Sequence, residues 1–259
     1  MDPDPATVPA PSAAVPASVP ATASPRSNPR LRQTLVVALA VVSGATDAIG
    51  LLALGGAFTS VMTGNMVLLG LSAGQREWEG VGRALGAILA FIAGAALGTR
   101  VAGVAAKQDP VWPRPVNRAL GVELAILAAA AVGWFVTVGE PGAVVQFVLL
   151  LALAAALGVQ SSTVQRFGVS GLSTTYLTGT LTSAVIHLVW RRTPRGSERH
   201  WNIIGALVSG AAMAAVTKEL ARPALPAPQL VGLAVVLAVA VLITRREDRA
   251  AAAAGPPGA

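Results

Sequence analysis

The sequence has no cysteine and only two histidines, which excludes disulfides, thiol catalysis and any Cys-ligated metal. Charge is scarce as well. Only 12% of the residues are charged, about half the usual share for a soluble domain. Residues 141–165, 201–217 and 223–244 carry no charge, Asp47 is the sole one between Gln33 and Gln75, and Glu123 the sole one between Ala119 and Gly139. Enzyme signatures are missing too: His187 and His200 form no metal set, no Gly-rich phosphate loop precedes a Lys, and no GxSxG elbow occurs. The expectation is a protein that is not an enzyme, with no catalytic residue, metal or cofactor.

The chain is instead rich in apolar and small residues, 54% hydrophobic with 27 glycines in 259 residues. A bilayer core of about 30 Å takes roughly 20 apolar residues per helix, so the uncharged runs read as membrane spans. The period-2 alternation of a membrane β-barrel is absent. The expected fold class is all-α, a polytopic transmembrane helix bundle. The net charge of +7 is spread over short connections without a continuous basic face, which argues against nucleic acid and for topology signals. Residues 1–32, rich in Pro, Ala and Ser without a signal-peptide core, are expected to form a disordered cytoplasmic tail, and 245–259 a second one. The membrane domain is placed at 33–244.

Eight apolar segments are expected, near 34–54, 57–73, 84–106, 117–137, 143–160, 172–190, 201–220 and 228–244. They divide into halves, 33–138 and 143–244. A shift of 115 lays Thr59, Thr63 and Gly64 over Thr174, Thr178 and Gly179, and one further residue lays Gly94 over Gly210. This pattern predicts an internal duplication.

Charge then selects a topology. If all eight segments cross, 12 Lys and Arg fall on one side and 7 on the other. If the second segment of each half does not cross, 15 fall on the side of the termini, leaving Arg76, Arg83, Lys218 and Arg222 opposite. The positive-inside rule favours the latter: six full spans, two shorter Gly-interrupted segments, inverted halves and both termini cytoplasmic, in a bacterial plasma membrane.

Asp47 stands in Gly44-Ala45-Thr46-Asp47-Ala48-Ile49-Gly50, well inside the first span. A carboxylate there costs several kcal/mol unless it faces a polar interior. It is either a site for a cation, proton or polar solute, or, with Thr46, a cap for free backbone N–H groups. In the second half it aligns with Ser162, beside Gln160 and Ser161, so the charge is not duplicated.

The paired segments Thr63-Gly64-Asn65 and Thr178-Gly179-Thr180 are the other candidates. Interrupted apolar segments at matching places in two halves mark the midplane site of many transporters. Thr59, Ser60, Thr174 and Thr175 would add oxygens, and Gly64 and Gly179 would allow close approach. The alternative is that these residues only bond the preceding turn or let helices cross. Glu123 reads as an interfacial partner of Asn117 or Arg118, His187 as a headgroup-level residue before Trp190-Arg191-Arg192, and Asn202 and Gln160 as buried polar residues.

Gly44 to Gly50, Phe58 to Leu69 (FTSVMTGNMVLL), Gly158-Val159-Gln160 and Leu172 to Thr182 together resemble the YoaK family of uncharacterised bacterial integral membrane proteins. The resemblance covers roughly 33–244. It implies a multi-pass membrane protein of about six helices and no particular substrate. The functional expectation is a small secondary transporter or permease with a central polar site made of Asp47, Thr46, Thr63, Gly64, Asn65, Thr178, Gly179, Thr180 and Gln160, acting on an unknown small solute or ion. The competing expectation is a non-transporting membrane protein that binds lipid or a partner protein through its Arg-rich connections.

Overall fold

The computed structural model describes residues 29–105, 110, 112–167, 177–189 and 194–253. Residues 1–28 of the expected tail 1–32, residues 254–259 of the expected tail 245–259, and Thr174 and Thr175 lie outside the described residues. Eight helices follow one another: α1 (Pro29–Ala53), α2 (Met62–Gln75), α3 (Trp78–Ala102), α4 (Arg114–Val136), α5 (Ala143–Gln165), α6 (Leu177–Val189), α7 (Pro194–Leu220) and α8 (Ala227–Ala253). No strand occurs among the described residues.

Six of the helices, α1, α3, α4, α5, α7 and α8, are long and apolar enough to cross a membrane. At 14 and 13 residues, α2 and α6 are about 20 Å long, well short of a bilayer core. Two boundaries differ from expectation. α1 begins at Pro29 and α8 continues through Arg245 to Ala253, because Arg, Glu and Ala are strong helix formers that extend a span into water.

The helices pack in a reciprocal pattern: α1 lies on α7 and α8, while α5 lies on α3 and α4. In each half the short helix packs on the helix that follows it, α2 on α3 and α6 on α7. The α3/α5 contact is parallel and in constant register: Gly86 faces Phe147, Gly94 faces Ala155 and Gly98 faces Val159, an offset of 61 each time. Glycine is required at these crossings. A Cβ on Gly94 would overlap the Ala155 carbonyl, and one on Gly158 the Phe91 carbonyl; one on Gly44 would overlap the Leu207 carbonyl, and one on Gly210 the Val41 carbonyl. Absent side chains let two backbones touch, which in lipid replaces the hydrophobic effect as the source of helix association.

The ends of the bundle are tied differently. At one end Arg114 pairs with Asp248 at 2.6 Å, the Asn117 amide donates to Thr244 Oγ1 at 3.0 Å, and Trp112, buried, rests its ring on Phe167. Arg32 covers the other part of the Phe167 ring. At the opposite end the Trp134 indole donates to the Arg222 carbonyl, and Arg222 lies 3.6 Å from Glu140. The connections α4–α5 and α7–α8 therefore share an end, as six crossings require.

Candidate functional site

The chain does not leave α1 into a plain surface turn. After Ala53 it turns at Gly55 and Gly56, both in the left-handed region with φ of 95° and 84°, where glycine carries no Cβ penalty. Residues 57–61 then fold back against the side of α1, and Ala57, Thr59 and Ser60 are buried. A buried irregular segment inside a membrane protein must have its backbone satisfied by the protein itself.

Asp47 supplies most of that satisfaction. Its Oδ1 accepts from the Thr59 and Ser60 backbone N–H groups, each at 2.7 Å, and from the Thr59 hydroxyl at 2.9 Å. Its Oδ2 accepts from the Ser60 hydroxyl at 2.5 Å. α1 is unbroken at Asp47, so the carboxylate anchors a folded-back segment 12 residues later instead of capping its own helix.

Asn65 performs the same service from the far side. Its amide donates to the Phe58 carbonyl at 2.7 Å and its Oδ1 accepts from the Phe58 N–H at 2.9 Å, a two-point clamp on one peptide unit. Gly64 passes the Phe58 ring, where a Cβ would lie 3.0 Å from two ring carbons. Thr63 points out and is exposed. The Asn and Gly of Thr-Gly-Asn thus hold the loop together with Asp47. In the other half Thr178 and Gly179 are exposed on α6, and Thr180 is buried. Since α2 packs on α3 and α6 on α7, the two Thr-Gly segments belong to separate helix pairs.

Polar atoms continue down α1. The Thr46 hydroxyl donates to the Val42 carbonyl at 2.7 Å and lies 2.7 Å from the side-chain amide oxygen of Gln229 on α8. One turn lower, the Gln160 amide on α5 donates to Ser43 Oγ at 2.7 Å and to the Leu39 carbonyl at 3.3 Å. Ser43, Thr46 and Asp47 therefore form a run of buried polar residues along α1, met by Gln160 from α5 and Gln229 from α8. Outside the folded-back segment lies an open cleft of about 510 Å³ between Gly55–Ala57 and the α2–α3 hairpin, with Ser72, Gln75, Glu77 and Arg83 among its walls. Arg83 is tied to Glu79 at 2.8 Å.

Glu123 departs from expectation. It is fully buried, and neither carboxyl oxygen has a hydrogen-bond partner among the described residues. Helical phase is the reason it does not pair at the interface. It lies on the buried face of Val116, Leu120 and Leu127, whereas Arg118, five residues earlier, is turned about 140° away and is exposed. Asn117 is engaged with Trp112 and Thr244. Gln229, unnoticed in the sequence, sits at a helix start and was detectable only by pairing α8 with α1.

Among known proteins, the family model described as Protein of unknown function (DUF1275) matches residues 35–243. The chain is 37% identical over 152 residues to the UPF0700 transmembrane protein YoaK of Bacillus subtilis (strain 168), covering 59% of this chain and 65% of that relative, slightly under two thirds of its length. No solved structure matches. With six helices fit to cross a membrane and a match over most of its length, the chain is a multi-pass membrane protein that belongs to the DUF1275 family.

Proposed function

We propose that the protein is a small secondary transporter made of two duplicated, inverted halves. The observation that carries this reading is the reciprocal packing: the first span of each half crosses the second long helix of the other at glycines that correspond, Gly44 to Gly158 and Gly94 to Gly210. With three spans per half the two halves are inverted, the arrangement from which alternating access by rocking arises. A non-spanning helix follows the first span of each half, and in the first half it is entered through irregular backbone fastened to an intramembrane acid. Non-helical backbone at such depth is tolerated only inside protein or along a cavity. The cleft beside Gly55 and Arg83 supplies an entrance for a small polar solute. The Arg-rich end, on this reading, is cytoplasmic.

The test is uptake into proteoliposomes of the full chain, under an imposed pH gradient, of a mass-spectrometric panel of amines, amino acids, sugars and carboxylates. Accumulation of one class, abolished by a disulfide engineered between the two halves, is expected. Uptake equal to protein-free liposomes for every class would sink the transporter reading.

A further inference from the structure

A charged or polar atom inside a membrane domain needs a partner. Among the described residues, one place leaves acceptors without donors. Glu123 offers two unpaired carboxyl oxygens on α4, and the Gln160 side-chain oxygen on α5 is unpaired as well. The two helices are antiparallel neighbours, with Gly133 against Leu149, and that register puts Gln160 level with Val122. The unpaired atoms therefore share one depth on adjoining helices, and all three are acceptors. What they lack in common is a proton.

Comparison of the halves shows that packing does not require an acid here. α4 and α8 both carry proline at their second position, and both bury the same pattern: Val116, Leu120, Glu123 and Leu127 in one, Gln229, Leu233, Val236 and Ala240 in the other. Glu123 occupies the place of Val236. A valine fills that position without cost, while an acid at the membrane interior costs about 3 kcal/mol or more on insertion scales. Among the described residues no ion pair reaches Glu123, and Arg166 at the C-terminal end of α5, about two turns from its level, donates to the Val104 carbonyl at 3.2 Å. α5 has no charged residue over 141–165 and α8 none over 223–244; on α3, Arg100 is exposed at the helix end and Glu79 and Arg83 lie at the far end, paired together. Asp47 on α1 is committed to Thr59 and Ser60, and Arg32 to the Phe167 ring.

We infer that Glu123 is the proton-binding site of the protein: its carboxyl carries a proton in the buried arrangement seen here and releases it to water when the halves move and expose it. The step is a plain proton transfer, from water on one side to water on the other, with no other bond made or broken. The inference rests on the transporter reading and names its coupling ion. Asp47, the acid that the sequence brings forward, is assigned a structural role instead.

The experiment is infrared difference spectroscopy of the full chain in lipid, between acid and alkaline buffer, for wild type, Glu123→Gln and Asp47→Asn. The expected result is a carbonyl band of a protonated carboxylic acid that fades as pH rises, is lost in Glu123→Gln and is kept in Asp47→Asn. If Glu123→Gln does not yield folded protein, Glu123→Asp serves in its place, with a shift of the same band expected. A band that ignores pH, or one unchanged by substitution at 123, overturns the assignment. Solute uptake in the same liposomes separates the two readings. A titrating Glu123 band in a chain that transports nothing leaves the proton site standing and removes the transporter. Transport that is unchanged, with its pH dependence, in Glu123→Gln removes the proton site alone.

Discussion

The two halves of the molecule agree where backbones meet and disagree where charges sit. The crossing glycines correspond, Gly44 with Gly158 and Gly94 with Gly210, and the buried Val116, Leu120, Glu123 and Leu127 of α4 match the buried Gln229, Leu233, Val236 and Ala240 of α8. Laid on the same frame, Asp47 falls on the buried Ser161, one place from the residue that sequence alignment suggests, and Glu123 falls on Val236. Thr46, which meets Gln229, falls on Gln160, whose counterpart contact would be Val116; lacking a partner there, Gln160 turns to Ser43 and Leu39 on α1. Shape is shared and chemistry is not, so the common packing frame demands neither acid.

The comparison can be broken hardest at the crossings. Gly94→Leu and Gly210→Leu should each cost more than about 3 kcal/mol, since a side chain there meets a carbonyl on a rigid helix. Both should fail to give monodisperse protein on size exclusion. Tolerance in one half only would show that the crossings are not equivalent. Next comes the asymmetric acid: Asp47→Ala leaves two backbone N–H groups and two hydroxyls buried without their acceptor. A loss of about 3 kcal/mol follows, against about 1 kcal/mol for Ser161→Ala, read as the difference in thermal midpoint in detergent. Asn65→Ala removes both bonds to Phe58 and should cost about 2 kcal/mol, with faster proteolysis between residues 54 and 61.

Glu123→Val copies the second half into the first. It should leave stability within about 1 kcal/mol of wild type, or raise it, because replacing an unpaired buried polar group by an apolar one of similar size removes a desolvation penalty. A clear destabilisation would mean that the carboxyl has a structural partner. The smallest effect is expected from Arg114→Gln at the exposed Arg114–Asp248 pair, where water and salt screen the interaction and no change in the thermal midpoint should be measurable.

Much of the frame was legible in the sequence. Apolar runs of about 20 residues give the six long helices because length and hydropathy alone determine what can cross. The short α2 and α6 were visible only through charge, since 57–73 is as apolar as a span; the structure starts α2 at Met62 because residues 57–61 are spent on the folded-back segment. Asp47 stood out as an intramembrane acid, yet its partners could not be read, because Thr59 and Ser60 reach it through a loop whose path depends on Gly55 and Gly56. Glu123 was misplaced at the interface by its nearness to Arg118 in the chain. The 3-and-4 spacing from Val116 through Leu120 to Leu127 was the available signal, and it puts the two on different faces of one helix.

The central claim is that two three-span halves face opposite ways, and single-cysteine labelling tests it most directly because the chain has no cysteine of its own. Trp78 and Val104 are exposed and suit the purpose, while Trp112 is buried and does not. With cysteines placed singly at Ser27, Trp78 and Val104, an impermeant reagent applied to whole cells should label position 78 alone, with 27 and 104 labelled only after the membrane is opened. Positions 27 and 78 reacting from the same side would make α2 a full crossing, give eight spans and parallel halves, and contradict the account.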